Sequence, residues 1–146
     1  MNHRYYLVRF FTFYFCLSVA LTAANWPSWR GDLAGSGKVS DNSVPLKWDS
    51  KKNIRWRVPL PDRGNSSPVI WGDKVFITQA TDVDKRRSVM CFNKLTGTML
   101  WQNGVIYDKQ EKTHKTNPYC SGSPVTDGRV VIANYASAGV VAYDLE

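Results

Sequence analysis

The polar side chains that could do chemistry in this sequence are concentrated in the stretch 104–120. His114 could act there as a base or as a ligand, and Asn117 and Tyr119 follow it closely. One histidine without a partner serine, cysteine or metal-ligand set forms no catalytic constellation. The sequence therefore predicts no catalytic residue and no metal site. Two interpretations stay open: these groups bind a ligand, or they order a long connection by hydrogen bonding to its backbone.

The elements around this stretch predict which other residues share its face. In a unit of four antiparallel strands, the turn between the second and third strands and the connection to the next unit emerge at one end. The polar stretches 81–87 and 104–120 are predicted to be long loops at that end, and the segment 61–65 should emerge there too. Long loops on a rigid scaffold concentrate binding residues. The candidate ligand face therefore comprises Arg63, Asn65, His114, Asn117 and Tyr119.

Strand and turn patterns dominate the sequence after residue 53. Residues 54–60 alternate apolar and charged side chains with a period of two, which predicts a half-buried strand. Two hairpins are predicted after it, with strands at 67–70, 74–80, 88–93 and 98–102. Residues 25–53 are rich in Gly, Ser, Asp and Pro, which predicts an irregular lead-in packed down by Trp26, Trp29 and Trp48.

The strand pattern then repeats. Ser67-Pro68-Val69 with Gly72 returns as Ser123-Pro124-Val125 with Gly128, at an offset of 56 residues. A unit of four short antiparallel strands recurring at about 40 to 55 residues is typical of β-propeller blades. We predict an all-β partial β-propeller with a four-stranded blade over 66–104 and an incomplete blade over 122–146. A ring typically needs about 4 to 8 blades, so we interpret the chain as an N-terminal fragment. A small β-sandwich is the alternative.

Residues 91–101 resemble the tryptophan-docking motif of quinoprotein-type propellers, Ala-x-Asp-x-x-Thr-Gly-x-x-x-Trp. Cys91 stands in place of the alanine and Asn93 in place of the aspartate, and a second copy starts near the end of the chain. These residue types can hold neighbouring blades together. The amide accepts hydrogen bonds from turn N–H groups, glycine permits positive φ, and the indole offers a large flat surface with one donor. The predicted blade-docking residues are Cys91, Asn93, Thr96, Gly97, Trp101, Ala142 and Asp144.

The stretch 25–146 is similar to exported bacterial proteins described as PQQ-like β-propeller repeat proteins. Their relatives include BamB-type outer-membrane assembly scaffolds and PQQ-dependent alcohol dehydrogenases. In this family the N-terminal strand is often the outer strand of the last blade, a role that 54–60 would suit, with Trp56 placed like Trp101. The partner strands of 54–60 would then lie in other sequence.

The resemblance implies one of two functions. The first is a non-catalytic module that binds a protein or another ligand through its loop face. The second is a dehydrogenase in which PQQ and calcium receive hydride from an alcohol; such enzymes typically show two adjacent cysteines and a Glu/Asn/Asp calcium set. This sequence has no Cys-Cys pair, and its only glutamates are Glu111 and Glu146. We expect a binding or scaffold role with no evident cofactor. The alternative is a PQQ/calcium enzyme whose catalytic blades lie outside this sequence.

Residues 1–24 have the order of a secretory signal peptide. Arg4 and Arg9 precede an apolar run over 10–23, and small residues end the segment. This run is shorter than the roughly 20 residues that a membrane-spanning helix needs. We predict a secreted or periplasmic protein with no stable membrane span after cleavage, and a retained anchor is the alternative.

Charge and cysteine content exclude further functions. The chain has 19 Lys and Arg against 12 Asp and Glu, for a net charge of +7, but these groups are scattered. Nucleic-acid binding needs basic groups gathered on one face, so we interpret the one tight cluster, Lys85-Arg86-Arg87, as solvated surface and expect no nucleic-acid partner. Cys91 and Cys120 could pair in an oxidising compartment, or they could remain buried thiols.

Overall fold

The computed structural model describes residues 25–32, 34–39 and 44–146. The predicted signal peptide, 1–24, lies outside the described residues. Within them, two antiparallel sheets of four and three strands form an unclosed, all-β partial β-propeller. The strands are β1 (Val69–Trp71), β2 (Lys74–Thr81), β3 (Arg86–Asn93), β4 (Met99–Ile106), β5 (Val125–Thr126), β6 (Val130–Asn134) and β7 (Val140–Asp144).

The first sheet has the order β1-β2-β3-β4. The central pair, β2 and β3, is in register from Lys74 and Asn93 to Thr81 and Arg86. Its turn therefore occupies only 82–85, and the prediction of a long loop over 81–87 is wrong. The charged residues at the start of β3 pair with β2, and Asp84 closes the turn by accepting hydrogen bonds from the Thr81 hydroxyl and the Arg86 N–H.

The second sheet has the order β5-β6-β7 and packs against the first. The two copies of the sequence repeat also contact each other, because the Ser67 N–H donates to Ser123 Oγ at 2.8 Å. The Thr78 hydroxyl lies within hydrogen-bond distance of two carbonyls of the connecting segment, those of Cys120 and Gly122. The apolar core between the sheets contains Val69, Phe76, Ala80, Val89, Cys91, Cys120, Val131, Ala133, Tyr135 and Leu145.

The other face of the first sheet is also covered. Val75, Met90 and Phe92 are buried there, and Trp56 and Val58 pack against them. The structure has no strand over 54–60. Among the described residues no strand runs beside this segment to accept its hydrogen bonds, so it contributes side chains to the sheet face without joining a sheet.

The lead-in is irregular, as predicted, but only one of its tryptophans anchors it. Trp26 exchanges two 2.8 Å backbone hydrogen bonds with Ile70 and so borders β1. The side chains of Trp29 and Trp48 are 60% and 68% exposed. The prediction that all three tryptophans pack this segment down is wrong, because the lead-in touches the first sheet mainly through Trp26.

Candidate functional site

The turn that joins β3 to β4 contains three of the predicted blade-docking residues. Asn93 Oδ1 accepts hydrogen bonds from the N–H groups of Leu95 at 2.9 Å and Thr96 at 3.0 Å. Gly97 has φ +74°, and a Cβ at that position would lie 2.7 Å from the Trp56 indole. Glycine is required at this position for two reasons. The backbone is left-handed there, and an indole ring lies directly on it.

Two tryptophans make the same kind of contact one repeat apart. Trp56 Nε1 donates to the Lys94 carbonyl at 2.9 Å, and Trp101 Nε1 donates to the Leu145 carbonyl at 3.4 Å. Lys94 directly follows Asn93, and Leu145 directly follows Asp144, so the two acceptors occupy equivalent positions. The Trp101 indole therefore reaches from the first sheet to the second.

The remaining motif residues differ in burial. Cys91 pairs with Trp101 across β3 and β4 and is fully buried. Ala142, at the equivalent position of the second copy, and Asp144 are exposed. The blade-docking role assigned to this set stays a prediction, and it concerns the fold rather than chemistry.

A cavity of about 310 Å³ lies at the end of the first sheet where the 82–85 turn and the chain after β4 meet. Three segments that are distant in sequence line it: 62–63, 82–87 and 107–119. Four basic and three acidic side chains contribute to its lining, together with Tyr107 and Tyr119. The cavity is polar and open to solvent on the face that the sequence predicts to be the loop face.

Hydrogen bonds that involve these segments, their neighbours and β2 hold this end together. Asn65 Nδ2 donates to the Thr116 carbonyl at 2.8 Å, and Gln79 Nε2 donates to the Asp62 carbonyl at 2.8 Å. The Tyr107 N–H donates to the Lys85 carbonyl at 2.8 Å. The long connection is thus tied both to the segment before β1 and to the 82–85 turn.

The inner wall of the cavity contains a stacked pair, Arg87 and Tyr119. Arg87 is 2% exposed, and its Cζ lies 3.9 Å from the centroid of the Tyr119 ring. The Tyr119 hydroxyl is fixed from both sides, since it donates to the Glu111 carbonyl at 2.9 Å and accepts from the Glu111 N–H at 3.1 Å. The interpretation of 85–87 as solvated surface is wrong for Arg87, because the β3 register turns its side chain inward.

The structure places the candidate ligand-face residues at one end but gives them different positions. Arg63 and Tyr119 line the cavity, whereas Asn65 ties the loops together behind it. His114 is exposed, and its Nδ1 lies 2.8 Å from the hydroxyl of Thr116 in its own loop. Asn117 does not line the cavity and borders an adjoining groove beside Asn134. Sequence reasoning missed Arg87, whose only signal was its even spacing with the apolar Val89 and Cys91.

Cys91 and Cys120, the two cysteines within the described ranges, are buried free thiols. Burial raises the pKa of the Cys91 thiol to about 11, and burial likewise raises the pKa of Cys120. A thiol is the weaker nucleophile when its pKa is raised. These two residues therefore have the character of core side chains in this structure.

A quinone cofactor with calcium would need a set of oxygen ligands for the metal. Within the described part of the chain there is no group of three or more His, Cys, Asp or Glu side chains that could hold a metal ion. Among the described residues, no helix has the length and apolar character to cross a membrane.

Three features define a β-propeller repeat protein. They are the two antiparallel sheets packed on each other, the contact between the two Ser-Pro-Val segments, and the indole hydrogen bond that recurs one repeat apart. A family model described as outer membrane protein assembly factor BamB matches residues 30–146. The chain belongs to this family of PQQ-like repeat proteins. A search of the curated proteins found no match.

Proposed function

We propose that this protein is an exported, non-catalytic binding module whose loop-face cavity holds its ligand or the contacting group of a partner. The observation that carries the proposal is the convergence of three distant segments, 62–63, 82–87 and 107–119, around one polar cavity. Its volume of about 310 Å³ falls at the small end of the range of ligand pockets.

The family supports the same proposal. Proteins of the BamB-like PQQ-repeat family are generally extracellular or periplasmic, and the description of the family model names an assembly factor, which suggests protein interaction. Export also agrees with the predicted signal peptide at 1–24. A scaffold that presents ordered loops on rigid blades suits such a role, because the sheets fix the position of each loop.

The test blocks the cavity without touching the core. Gln110 and Lys112 are both exposed residues of the long connection, but only Gln110 lines the cavity. Gln110→Trp should fill the mouth, and Lys112→Trp is the matched control. In a thermal-shift screen of the full-length protein against small molecules and peptides, we expect the hits to lose about tenfold or more in affinity with Gln110→Trp and to keep it with Lys112→Trp. Equal binding by both variants would contradict the proposal.

The alternative function is tested on the same protein. PQQ and calcium are titrated into the full-length protein while tryptophan fluorescence and dye-linked alcohol oxidation are followed. The proposal predicts no turnover. Saturable PQQ binding with turnover would identify a quinoprotein dehydrogenase and overturn it.

A further inference from the structure

Arg87 is a buried cation whose charge has no counterpart in the described part of the chain. An arginine guanidinium remains protonated in proteins. No carboxylate of the described residues lies within salt-bridge distance of Arg87, since the three ion pairs among them involve Lys74 and Arg86. Buried charges are normally paired with an opposite charge or bound to a ligand.

The hydrogen bonding of Arg87 is also incomplete. Its Nη1 is buried and has no hydrogen-bond partner. The Tyr119 ring stabilises the face of the guanidinium through a cation–π contact, but it provides no acceptor for the N–H groups in the guanidinium plane. The neighbouring Arg86 differs in each respect, because it is less buried and its Nε pairs with Asp84 at 3.2 Å.

The surroundings of Arg87 favour an anion from outside the chain. Arg87 and Tyr119 both line the polar cavity, and Arg63, Lys85 and Lys109 add positive charge to its lining. Three acids also line it, but none of them forms a salt bridge with Arg87 among the described residues, and Asp62 Oδ1 accepts from the Arg63 N–H at 2.9 Å. The planar fork of a guanidinium matches the oxygens of a carboxylate or a phosphate.

We propose that Arg87 is the anion-binding residue of the cavity, and that the ligand of this protein carries a carboxylate or phosphate group that contacts it. This inference rests on the proposed binding function and names the chemical class of its ligand. Tyr119 acts as a positioning residue, because its ring holds the guanidinium while its hydroxyl is held by Glu111.

The test titrates the full-length protein with inorganic phosphate and, separately, with acetate, at constant ionic strength maintained with sodium chloride. The arginine Nε–Hε signals are followed by NMR, and the two anions distinguish a phosphate ligand from a carboxylate ligand. We expect saturable shifts of the Arg87 signal with at least one anion and none of the Arg86 signal. An Arg87 signal that responds to neither anion, or no more than that of Arg86, would overturn the proposal.

Variants give a second measurement. Arg87→Gln should weaken anion binding by about ten- to a hundredfold, because one charged hydrogen-bonding group is lost. Arg86→Gln removes the same charge one residue away and should bind like the wild type. Arg87→Lys keeps the charge but loses the fork, so its affinity should be intermediate. If Arg87→Gln does not fold, the wild-type titration decides alone.

The outcomes separate this inference from the function on which it rests. If Gln110→Trp blocks a ligand but Arg87 responds to no anion, the cavity binds a ligand of another class and only this inference fails. If neither Gln110→Trp nor Arg87→Gln changes any binding, the proposed binding function fails as well.

Discussion

The two sheets of this protein are built from one repeat but differ in how they are covered. In the first sheet β2 and β3 are buried along nearly their whole length, since the second sheet covers one face and Trp56 and Val58 cover the other. In the second sheet β6 and β7 alternate between more and less exposed residues. The same repeat thus forms a sheet that is covered on both faces and a sheet that is covered on one face, depending on what packs against it.

Equivalent positions make the difference concrete. Cys91 of β3 is 0% exposed, whereas its counterpart Ala142 in β7 is exposed. Ile132 of β6 is 37% exposed and borders an apolar groove on the outer face of the second sheet. Comparing substitutions in the first sheet with substitutions in the second therefore tests how far the stability of each sheet depends on the residues that cover it.

The largest effect is expected where the sheets meet. Trp101→Ala removes an indole that packs with Phe76 and Tyr143 and donates to Leu145. Because the indole is partly buried, the free energy of unfolding should fall by up to about 3 to 5 kcal/mol, the range for large core truncations. Urea denaturation of the full-length protein measures it, and Trp29→Ala, which removes an exposed indole, should have little effect. A loss below about 1 kcal/mol for Trp101→Ala would refute the docking assignment.

The next effect concerns the segment that covers the first sheet. Gly97 and Gly72 both have positive φ, but only Gly97 is in contact with Trp56, and Gly72 borders open space. Gly72→Ala should cost about 1 to 2 kcal/mol of left-handed strain. Gly97→Ala adds overpacking against the indole and should cost about 2 to 4 kcal/mol in the same assay. Equal losses would mean that the Trp56 contact adds nothing to stability.

A smaller effect on the unfolding free energy is expected at the outer faces of the two sheets, which point away from each other. Val75 is 7% exposed under Trp56 and Val58, so Val75→Thr buries a hydroxyl and should cost about 1 to 3 kcal/mol. Ile132→Thr should change the unfolding free energy by no more than about 0.5 kcal/mol, because that side chain is partly solvated. A large loss for Ile132→Thr would show that something outside the described residues covers the second sheet.

The last effect concerns pH. Burial raises the pKa of Cys91 from an ordinary value of 9.0 to about 11. Between these values the folded state holds a proton that the unfolded state has lost, so stability is full below pH 9 and declines as the pH rises to 11. Melting curves at pH 8 and pH 10.5 measure the decline, and Cys91→Ala should reduce it. A slope unchanged by Cys91→Ala would assign the effect to other groups.

Much of the fold could be predicted because it rests on local patterns. Alternating apolar residues and Gly-containing turns indicated the four strands of the first sheet in order, and the offset of Ser67-Pro68-Val69 indicated the repeat. No strand forms over 54–60 in this chain, because a strand requires a neighbour and the partner strands expected for this segment would lie in other sequence, so the strand stays a prediction.

The interior of the cavity was harder to predict. A run of three basic residues normally indicates solvated surface, and only the register of β3 with β2 shows that Arg87 faces the sheet interface. Its stacking partner, Tyr119, was selected from the sequence as a polar loop residue, but the contact between the two joins residues far apart in the chain. Local composition could therefore indicate the face of the molecule but not the residue at its centre.

The repeated indole bond has a consequence for cooperativity. Because Trp56 and Trp101 each donate to a carbonyl in the following repeat, part of the stability of every unit belongs to its border with the next one. Repeat units coupled in this way exchange stability chiefly with their nearest neighbours. A defect at one border should therefore lower the stability of the two units that meet there more than that of the others.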